Sequence, residues 1–103
     1  MAKYHMSWKT RANGSAQQNH DDGAALLAAF ANWKAPADQE WLQFLSSIDG
    51  QGGFAVIETD NPAGILAEVS KFSTWNEFTI DPVVDIGEGV ALGAAGAEFR
   101  ASI

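Results

Sequence analysis

The chain has 103 residues, of which 47% are hydrophobic and 18% charged, and its 13 acidic and 6 basic side chains give a formal net charge of −7. A chain of this length forms one domain with one modest core. The acidic excess argues against a surface for nucleic acid or an anionic membrane, because phosphate contacts need a basic face. A sequence without cysteine has no disulfide, no thiol nucleophile and no thiolate metal site.

The first residues and the longest apolar run indicate where the protein is located. Residues 1–5 lead directly into an alternating segment, without the apolar stretch and small-residue cleavage site of a secretory signal. The longest wholly apolar run, residues 24–31, is far shorter than the roughly 18 residues that suggest a membrane span. We therefore expect a soluble cytoplasmic protein with no membrane partner.

The first third of the chain predicts a strand followed by a helix. Apolar and polar residues alternate over residues 3–10, which is typical of a strand with one apolar face. Ser15 and Gln18 fit a capping box, in which two side chains satisfy backbone N–H groups at a helix start. The helix begins there or a turn or two later, and Pro36 ends it in either case. Its apolar positions recur at helical spacing: Leu26, Leu27, Phe30 and Trp33.

A hairpin and a second helix follow. Two β-rich runs, residues 41–48 and 54–59, are joined by a glycine-rich connector that tolerates positive φ. Asn61 offers a capping side chain and Pro62 occupies the first helical position. The expected buried stripe of this helix is Ile65, Leu66, Val69 and Phe72.

The last third predicts a fourth strand and a weak helix. Residues 77–83 alternate, and Pro82 must lie at the end of the strand or on a sheet edge, where no backbone donor is needed. Residues 87–103 keep apolar residues at helical spacing, but their glycines lower helix propensity. We predict a domain over residues 1–86, with 87–103 as a C-terminal extension that packs on the same domain.

The order strand, helix, strand, strand, helix, strand is the ferredoxin-like βαββαβ arrangement. It predicts an α+β fold with a four-stranded antiparallel sheet and both helices on one face, because right-handed connections place them on the same side. In the hairpin neither set of alternating positions is wholly polar, so we expect the uncovered face to pack against a second copy. We therefore predict a homodimer in which two sheets pair into a dimeric α+β barrel.

Three segments of the chain also carry a family resemblance. They are residues 4–8 (YHMSW), 49–58 (DGQGGFAVIE) and 75–83 (WNEFTIDPV). Together they resemble an uncharacterised bacterial family of unknown function within the dimeric α+β-barrel superfamily. The resemblance covers about residues 3–85 and leaves the tail without a counterpart. It implies the ferredoxin-like fold and the dimer, and it brings no established reaction.

That superfamily also contains cofactor-free monooxygenases of aromatic polyketides, muconolactone isomerases, stress-response barrels and haem-degrading enzymes. The small monooxygenases use an Asn, Trp and Tyr set around a pocket between the sheet and the helices. The resemblance implies ligand-binding roles for Tyr4, Trp75 and Asn76, which supply those residue types at a different spacing. No histidine stands where haem ligation would be assigned, and we predict no cofactor.

Two polar residues of the first strand are the main candidates for chemistry. In this topology the first and third strands are central, so His5 and Ser7 should lie mid-sheet, where a polar residue needs a partner or water. If the alternate residues pack under the helices, both face the barrel interior. His5 is then the candidate general base, and Ser7 a ligand contact. The alternative is an interfacial His5 satisfied by partners such as Glu58, Thr79 or Asp81.

Four tryptophans are many for a domain of this size. Trp8 and Trp75 favour a pocket for a flat aromatic ligand, which indole N–H groups would orient. The alternative is that the tryptophans build the core and the dimer interface, and Trp33, on its helical stripe, fits that interpretation best. Trp75, which follows the second helix, is the stronger pocket candidate.

Charge is unevenly distributed along the chain. Residues 1–20 carry +3 and residues 21–103 carry −10. Lys9 and Arg11 could attract a carboxylate to the mouth of the pocket, although a solvated strand end facing the acidic remainder accounts for them as well. His5 and His20 lack the spacing and the flanking carboxylates of a metal motif, so we predict no metal site.

Two functions follow from these residues. The first is a small-molecule-binding barrel for an apolar or aromatic ligand, which extends to a cofactor-independent oxygenase or isomerase if His5 transfers a proton beside Trp8, Trp75 and Asn76. The second is a non-catalytic structural or interaction dimer. Whether the protein is an enzyme stays open at this point. A cavity of roughly 300 Å³ or more that is lined by aromatic and polar groups and persists in the assembled dimer distinguishes the first function from the second.

Overall fold

The computed structural model describes residues 1–12 and 14–103. These residues form four strands and three helices, in the order β1 (Ala2–Thr10), α1 (Ala16–Ala31), β2 (Glu40–Ser46), β3 (Gly52–Thr59), α2 (Pro62–Val69), β4 (Asn76–Val83) and α3 (Ile86–Ala101). The strands form one antiparallel sheet in the order β2-β3-β1-β4. The predicted α+β fold is confirmed, with the first and third strands at the centre and a C-terminal helix appended.

The hairpin between β2 and β3 turns where the glycines are. Gly50 has a φ of 72°, in the left-handed region that favours glycine. Gly53 is needed for another reason, because a Cβ there would lie 2.6 Å from the indole ring of Trp8 on the neighbouring strand. The glycine-rich connector therefore closes the turn and also makes room for a tryptophan on one face of the sheet.

One face of the sheet holds the core. Its buried members come from β1, β3 and α2: Met6, Ala55, Ile57, Ile65 and Val69. Tyr4, Trp8, Trp41, Phe78 and Ile80 are partly buried and pack against them. The apolar residues of β1 thus lie under the helices, which places the alternate residues His5 and Ser7 on the opposite face.

α2 begins at Pro62 as expected, but two details of its prediction are wrong. The Asn61 side chain makes no capping hydrogen bond, because its amide is directed towards the Asp38 carboxylate, 3.5 Å away. Leu66 is 65% exposed, since the stripe that faces the sheet turns one position away from it. Glu68 is buried instead.

α1 begins at the predicted capping box. The Ser15 hydroxyl accepts a hydrogen bond from the Gln18 N–H at 3.2 Å, which satisfies one of the unpaired donors at the helix start. The helix ends at Ala31, well before Pro36, and the Asn32 amide donates to the Ala28 carbonyl at 3.0 Å. The earlier of the two predicted starts is therefore the observed one.

α3 forms as predicted, but we expected it to pack on the same domain and none of its residues is buried. The helix extends the molecule to 62 × 31 × 22 Å, with a radius of gyration of 17.9 Å, against about 13 Å for a compact domain of this length. The helix is rich in glycine and alanine, so it has few large side chains that could pack against the sheet. Lys3 Nζ lies 2.7 Å from the Asp85 carboxylate and ties the start of the helix to β1.

Among the described residues, no helix buries a side chain against the second face of the sheet. It carries His5 and Ser7 from β1, with half-buried Phe54 and Val56 beside them on β3. The same face also carries charged residues of β1 and β4, among them Lys9 and Glu77, so it is neither wholly polar nor wholly apolar, as expected. None of the helices in the described part of the chain has the length and apolar character needed to cross a bilayer.

Candidate functional site

A cavity of about 410 Å³ lies between the core face of the sheet and the helices. Seven aromatic residues line it: Trp8, Phe30, Trp33, Trp41, Phe44, Phe72 and Phe78. Its volume falls in the range of about 300 to 1,000 Å³ that small-molecule sites occupy. The size and lining that separated the two predicted functions are therefore present in the single chain.

The cavity exists because the two helices over this face pack differently. α2 buries Ile65 and Val69 against the sheet, whereas α1 buries no residue at all. Leu27, expected on the core stripe of α1, is 69% exposed, and the apolar side of that helix lines the cavity instead of filling it. The predicted core stripe of α1 is therefore the wall of a site.

The aromatic walls are braced against one another. Trp33 and Trp41 meet edge to face, with ring centroids 5.2 Å apart, and Trp41 lies 4.8 Å from Phe44. Phe44 in turn meets the ring of Trp8 edge to face at 5.5 Å. Such pairs contribute about 0.5 to 1.5 kcal/mol each beyond area burial. The contacts join Trp33, which follows the end of α1, to β2 and β1, so the rings hold their positions around the cavity.

Glu68 brings a carboxylate to this apolar lining. The residue is 8% exposed and accepts hydrogen bonds from the Trp33 indole N–H at 3.1 Å and from Lys71 at 3.0 Å. A buried charge is tolerated when it is paired and hydrogen-bonded in this way. The Lys71 side chain is 57% exposed and is not part of the lining. Glu68 therefore fixes the indole of Trp33 while keeping negative charge beside the cavity.

Asn76 is the second polar group of the lining. The residue is 5% exposed, and its Oδ1 is buried with no hydrogen-bond partner among the described residues. Its backbone is held at the start of β4, where the Asn76 N–H donates to the Phe72 carbonyl at 3.1 Å. An unsatisfied buried acceptor costs about 1 to 3 kcal/mol, and a donor that reached this oxygen would remove that cost.

The structure divides the predicted site residues among three places. Trp8 and Asn76 line the main cavity. Tyr4 shares their face of the sheet but packs against the core instead of lining that cavity. Trp75 and Arg11 line a second, smaller cavity of about 270 Å³ where β1 leaves the sheet.

The remaining predicted residues, His5, Ser7 and Lys9, lie on the uncovered face. The interpretation that placed His5 in one pocket with Trp8 and Asn76 does not match the structure, because alternation along β1 sends their side chains to opposite faces. The His5 ring stacks on Phe54, with centroids 5.4 Å apart. Asp81 is opposite His5 in the β1–β4 register.

The cations expected to attract an acidic ligand are occupied or distant. Arg11 pairs with Glu77 at 3.3 Å and donates to the Ser73 carbonyl at 3.1 Å. Lys9 is exposed at the end of β1 on the other face. Within the described residues, the lining of the main cavity includes no Lys, Arg or His. No group of three or more His, Asp or Glu side chains placed to hold a metal ion occurs in that part of the chain either.

The sequence pattern favours Trp33 as a core residue and Trp75 as a pocket residue, whereas Trp33 lines the main cavity and Trp75 lines the smaller one. Sequence reasoning also overlooked Glu68. A signal was available, because Glu68 follows Ile65 by three residues and precedes Phe72 by four, which places a carboxylate on the apolar stripe of α2. A charged residue on a buried stripe indicates a partner or a site.

Comparison with known proteins gives a family without an activity. No curated protein matches the chain. Among solved structures it is similar to SnoaB, a cofactor-independent oxygenase from Streptomyces nogalater, at 11% identity and a TM-score of 0.35, over 82% of this chain and 91% of that one. At that level neither fold nor activity follows from the likeness. A family model matches residues 2–97, which include most of α3 as well as the segments that carried the resemblance. The chain belongs to the family described as a domain of unknown function, DUF3303.

Proposed function

We propose that this protein binds a small, flat, largely apolar aromatic molecule in the cavity between the sheet and α1. The observation that supports the proposal is the cavity itself, about 410 Å³ with seven aromatic rings in its lining. Sites for small molecules combine such walls with a few polar groups that set orientation. Glu68 and Asn76, both at least nine-tenths buried, are such groups here.

Binding is the function that this geometry supports best. A cofactor-independent oxygenase or isomerase needs a proton acceptor beside the ligand. His5, the predicted acceptor, lies across the sheet, and Glu68 is already engaged by Trp33 and Lys71. Oxygenase or isomerase chemistry in this cavity would therefore have to use Glu68, and it forms no part of the proposal.

The test uses naphthalene as a probe, with the protein titrated into it in a calorimeter. We expect saturable binding by the wild type and at least a tenfold loss in Leu26→Trp, because Leu26 lines the cavity and a larger side chain there fills it. Leu92→Trp is the matched control, since Leu92 lies exposed on α3. Absence of binding by the wild type, or equal binding by Leu26→Trp, would overturn the proposal.

A second candidate function is self-association, and the uncovered face of the sheet favours it. Phe54 and Val56 are only half-buried there, and Val83 on β4 is 37% exposed. The same face presents both Lys3 and Glu58, so a two-fold axis can place acid against base as well as apolar against apolar. A second copy on this face forms the homodimer that the sequence predicts.

Sedimentation velocity at micromolar concentration tests this second candidate. We expect a dimer for the wild type and a monomer for Phe54→Glu, because the new carboxylate lies at the centre of the face. Ala24→Glu, on the exposed side of α1, adds the same charge away from that face and should leave the dimer intact. A monomeric wild type, or a dimeric Phe54→Glu, would contradict self-association through the sheet.

A further inference from the structure

The polar groups of the cavity restrict which aromatic molecules it accepts. We infer that the ligand is uncharged and donates a hydrogen bond, as a phenol does, and that aromatic carboxylates are rejected. This inference rests on the proposed binding function and specifies its ligand class. It reverses the sequence-based expectation that an acidic ligand would be welcome.

The requirement for a donor comes from Asn76. Its Oδ1 is buried and has no partner in the part of the chain that the structure describes, and the residue lines the cavity among hydrophobic neighbours, including Phe72 and Phe78. A ligand hydroxyl that donates to this oxygen removes an existing cost, whereas a hydrocarbon leaves it in place. The cavity therefore favours a hydroxyl compound over the parent hydrocarbon.

The rejection of anions comes from Glu68 and from what the lining lacks. The Glu68 side chain is 10% exposed, and Lys71, its partner, approaches from the solvent side with 57% of its side chain exposed. Within the described residues no lining side chain is basic. A carboxylate ligand would lose its hydration beside another carboxylate and gain no cation, which is strongly unfavourable in an apolar cavity.

The cations that could reverse this balance are elsewhere. Arg11 lines the smaller cavity, where Glu77 and the Ser73 carbonyl occupy its guanidinium group. Lys9 extends from the opposite face of the sheet. Neither residue lines the main cavity, so neither compensates a ligand carboxylate bound among the aromatic rings.

Three compounds with one ring system test the inference: naphthalene, 2-naphthol and 2-naphthoate at pH 7. We expect 2-naphthol to bind about tenfold more tightly than naphthalene, as one hydrogen bond to a previously unpaired buried acceptor allows. We expect 2-naphthoate to bind at least tenfold more weakly than 2-naphthol.

Two variants assign these ratios to their residues. Asn76→Leu should abolish the advantage of 2-naphthol over naphthalene while naphthalene still binds. Glu68→Gln keeps an acceptor for the Trp33 indole and removes the charge. It should therefore reduce the difference in binding affinity between 2-naphthol and 2-naphthoate. Glu98→Gln removes an equal charge from the exposed surface of α3 and should leave both ratios unchanged.

The outcomes separate the inference from the function beneath it. If none of the three compounds binds, the proposed function itself fails. If naphthalene binds but 2-naphthol is no tighter and 2-naphthoate no weaker, the ligand class is wrong and the binding function stands. These wild-type ratios decide the inference even if Asn76→Leu does not fold.

Discussion

The two faces of the sheet differ in how completely they are covered, and neighbouring residues of β3 show the contrast. Ile57 points towards the helices and is 0% exposed, whereas Val56 points to the other face and stays half-buried. Even the helix-covered face is closed only under α2, because α1 buries nothing. The candidate site lies under α1, which covers the sheet without burying side chains against it. The candidate interface lies on the face that no described helix covers.

The largest expected effect comes from shortening a side chain on the covered face. Ile57→Ala should lower the free energy of unfolding by about 2 to 5 kcal/mol, because the residue is fully buried and its removal leaves a void. Val56→Ala, one position along the same strand, should cost less than about 1 kcal/mol in dilute solution. Urea denaturation of both variants measures the difference.

If both variants lost the same free energy of unfolding, the two faces would not differ in burial as described. A Val56→Ala loss that grows with protein concentration would sharpen the comparison between the faces instead, because a side chain buried only in a dimer contributes only when the dimer forms. The pair therefore reports on the core and on self-association at once.

The fold was predictable from local patterns because each pattern has one physical solution. Alternation over β1 specifies a strand with one apolar face, and the Ser15 hydroxyl can satisfy the start of α1 in one way. Pro82 was expected at the end of its strand or on a sheet edge, and β4 is one of the two edge strands. These are short-range constraints, and tertiary packing did not override them.

The candidate site was less predictable because it depends on the distance between two elements. The stripe of Phe30 and Trp33 has the same spacing whether α1 presses on the sheet or stands away from it, so periodicity assigned both residues to the core. Asn76 was predicted as a ligand-binding residue and does line the cavity. His5 was assigned to the same pocket, although alternation along β1 separates it from Trp8.

The second prediction tests whether α1 is the loosely held half of the covered face. Ser15→Ala removes the N-cap and should cost α1 about 1 kcal/mol. Because no residue of α1 is buried, we expect roughly fivefold faster hydrogen exchange of its amides, with little change in β1 and β3. Ser47→Ala, in the hairpin turn, removes a hydroxyl that caps no helix and serves as the control. Faster exchange across the whole sheet as well would show instead that α1 is part of the central cooperative unit.

The third prediction concerns α3, which covers neither face in the single chain. Phe99 is 67% exposed, so Phe99→Ala should change the free energy of unfolding by no more than about 0.5 kcal/mol at low protein concentration. A loss of several kcal/mol would mean that α3 is buried in the native protein, with a second copy as the available partner. Thermal melts at two concentrations distinguish these results, since only an intermolecular contact depends on concentration.

The smallest effect is expected where α3 is tied to β1. The hydrogen bond from Lys3 to Asp85, at 2.7 Å, raises the pKa of the Lys3 amine above its ordinary value of 10.5, helped by the charges of Asp85 and Glu58 and opposed by partial desolvation. A pKa that is raised on folding stabilises the native state fully below the unfolded value, and this contribution is lost as pH rises through the folded value. The melting temperature of Asp85→Asn should therefore fall slightly below that of the wild type at pH 7 to 9, and this difference should close as the pH rises through the raised pKa of Lys3. Glu88→Gln, one turn into the same helix, is the control. Its melting temperature should not approach that of the wild type as the pH rises through the raised pKa of Lys3. A difference that widened with rising pH would mean that this pair does not hold the start of α3 against the sheet.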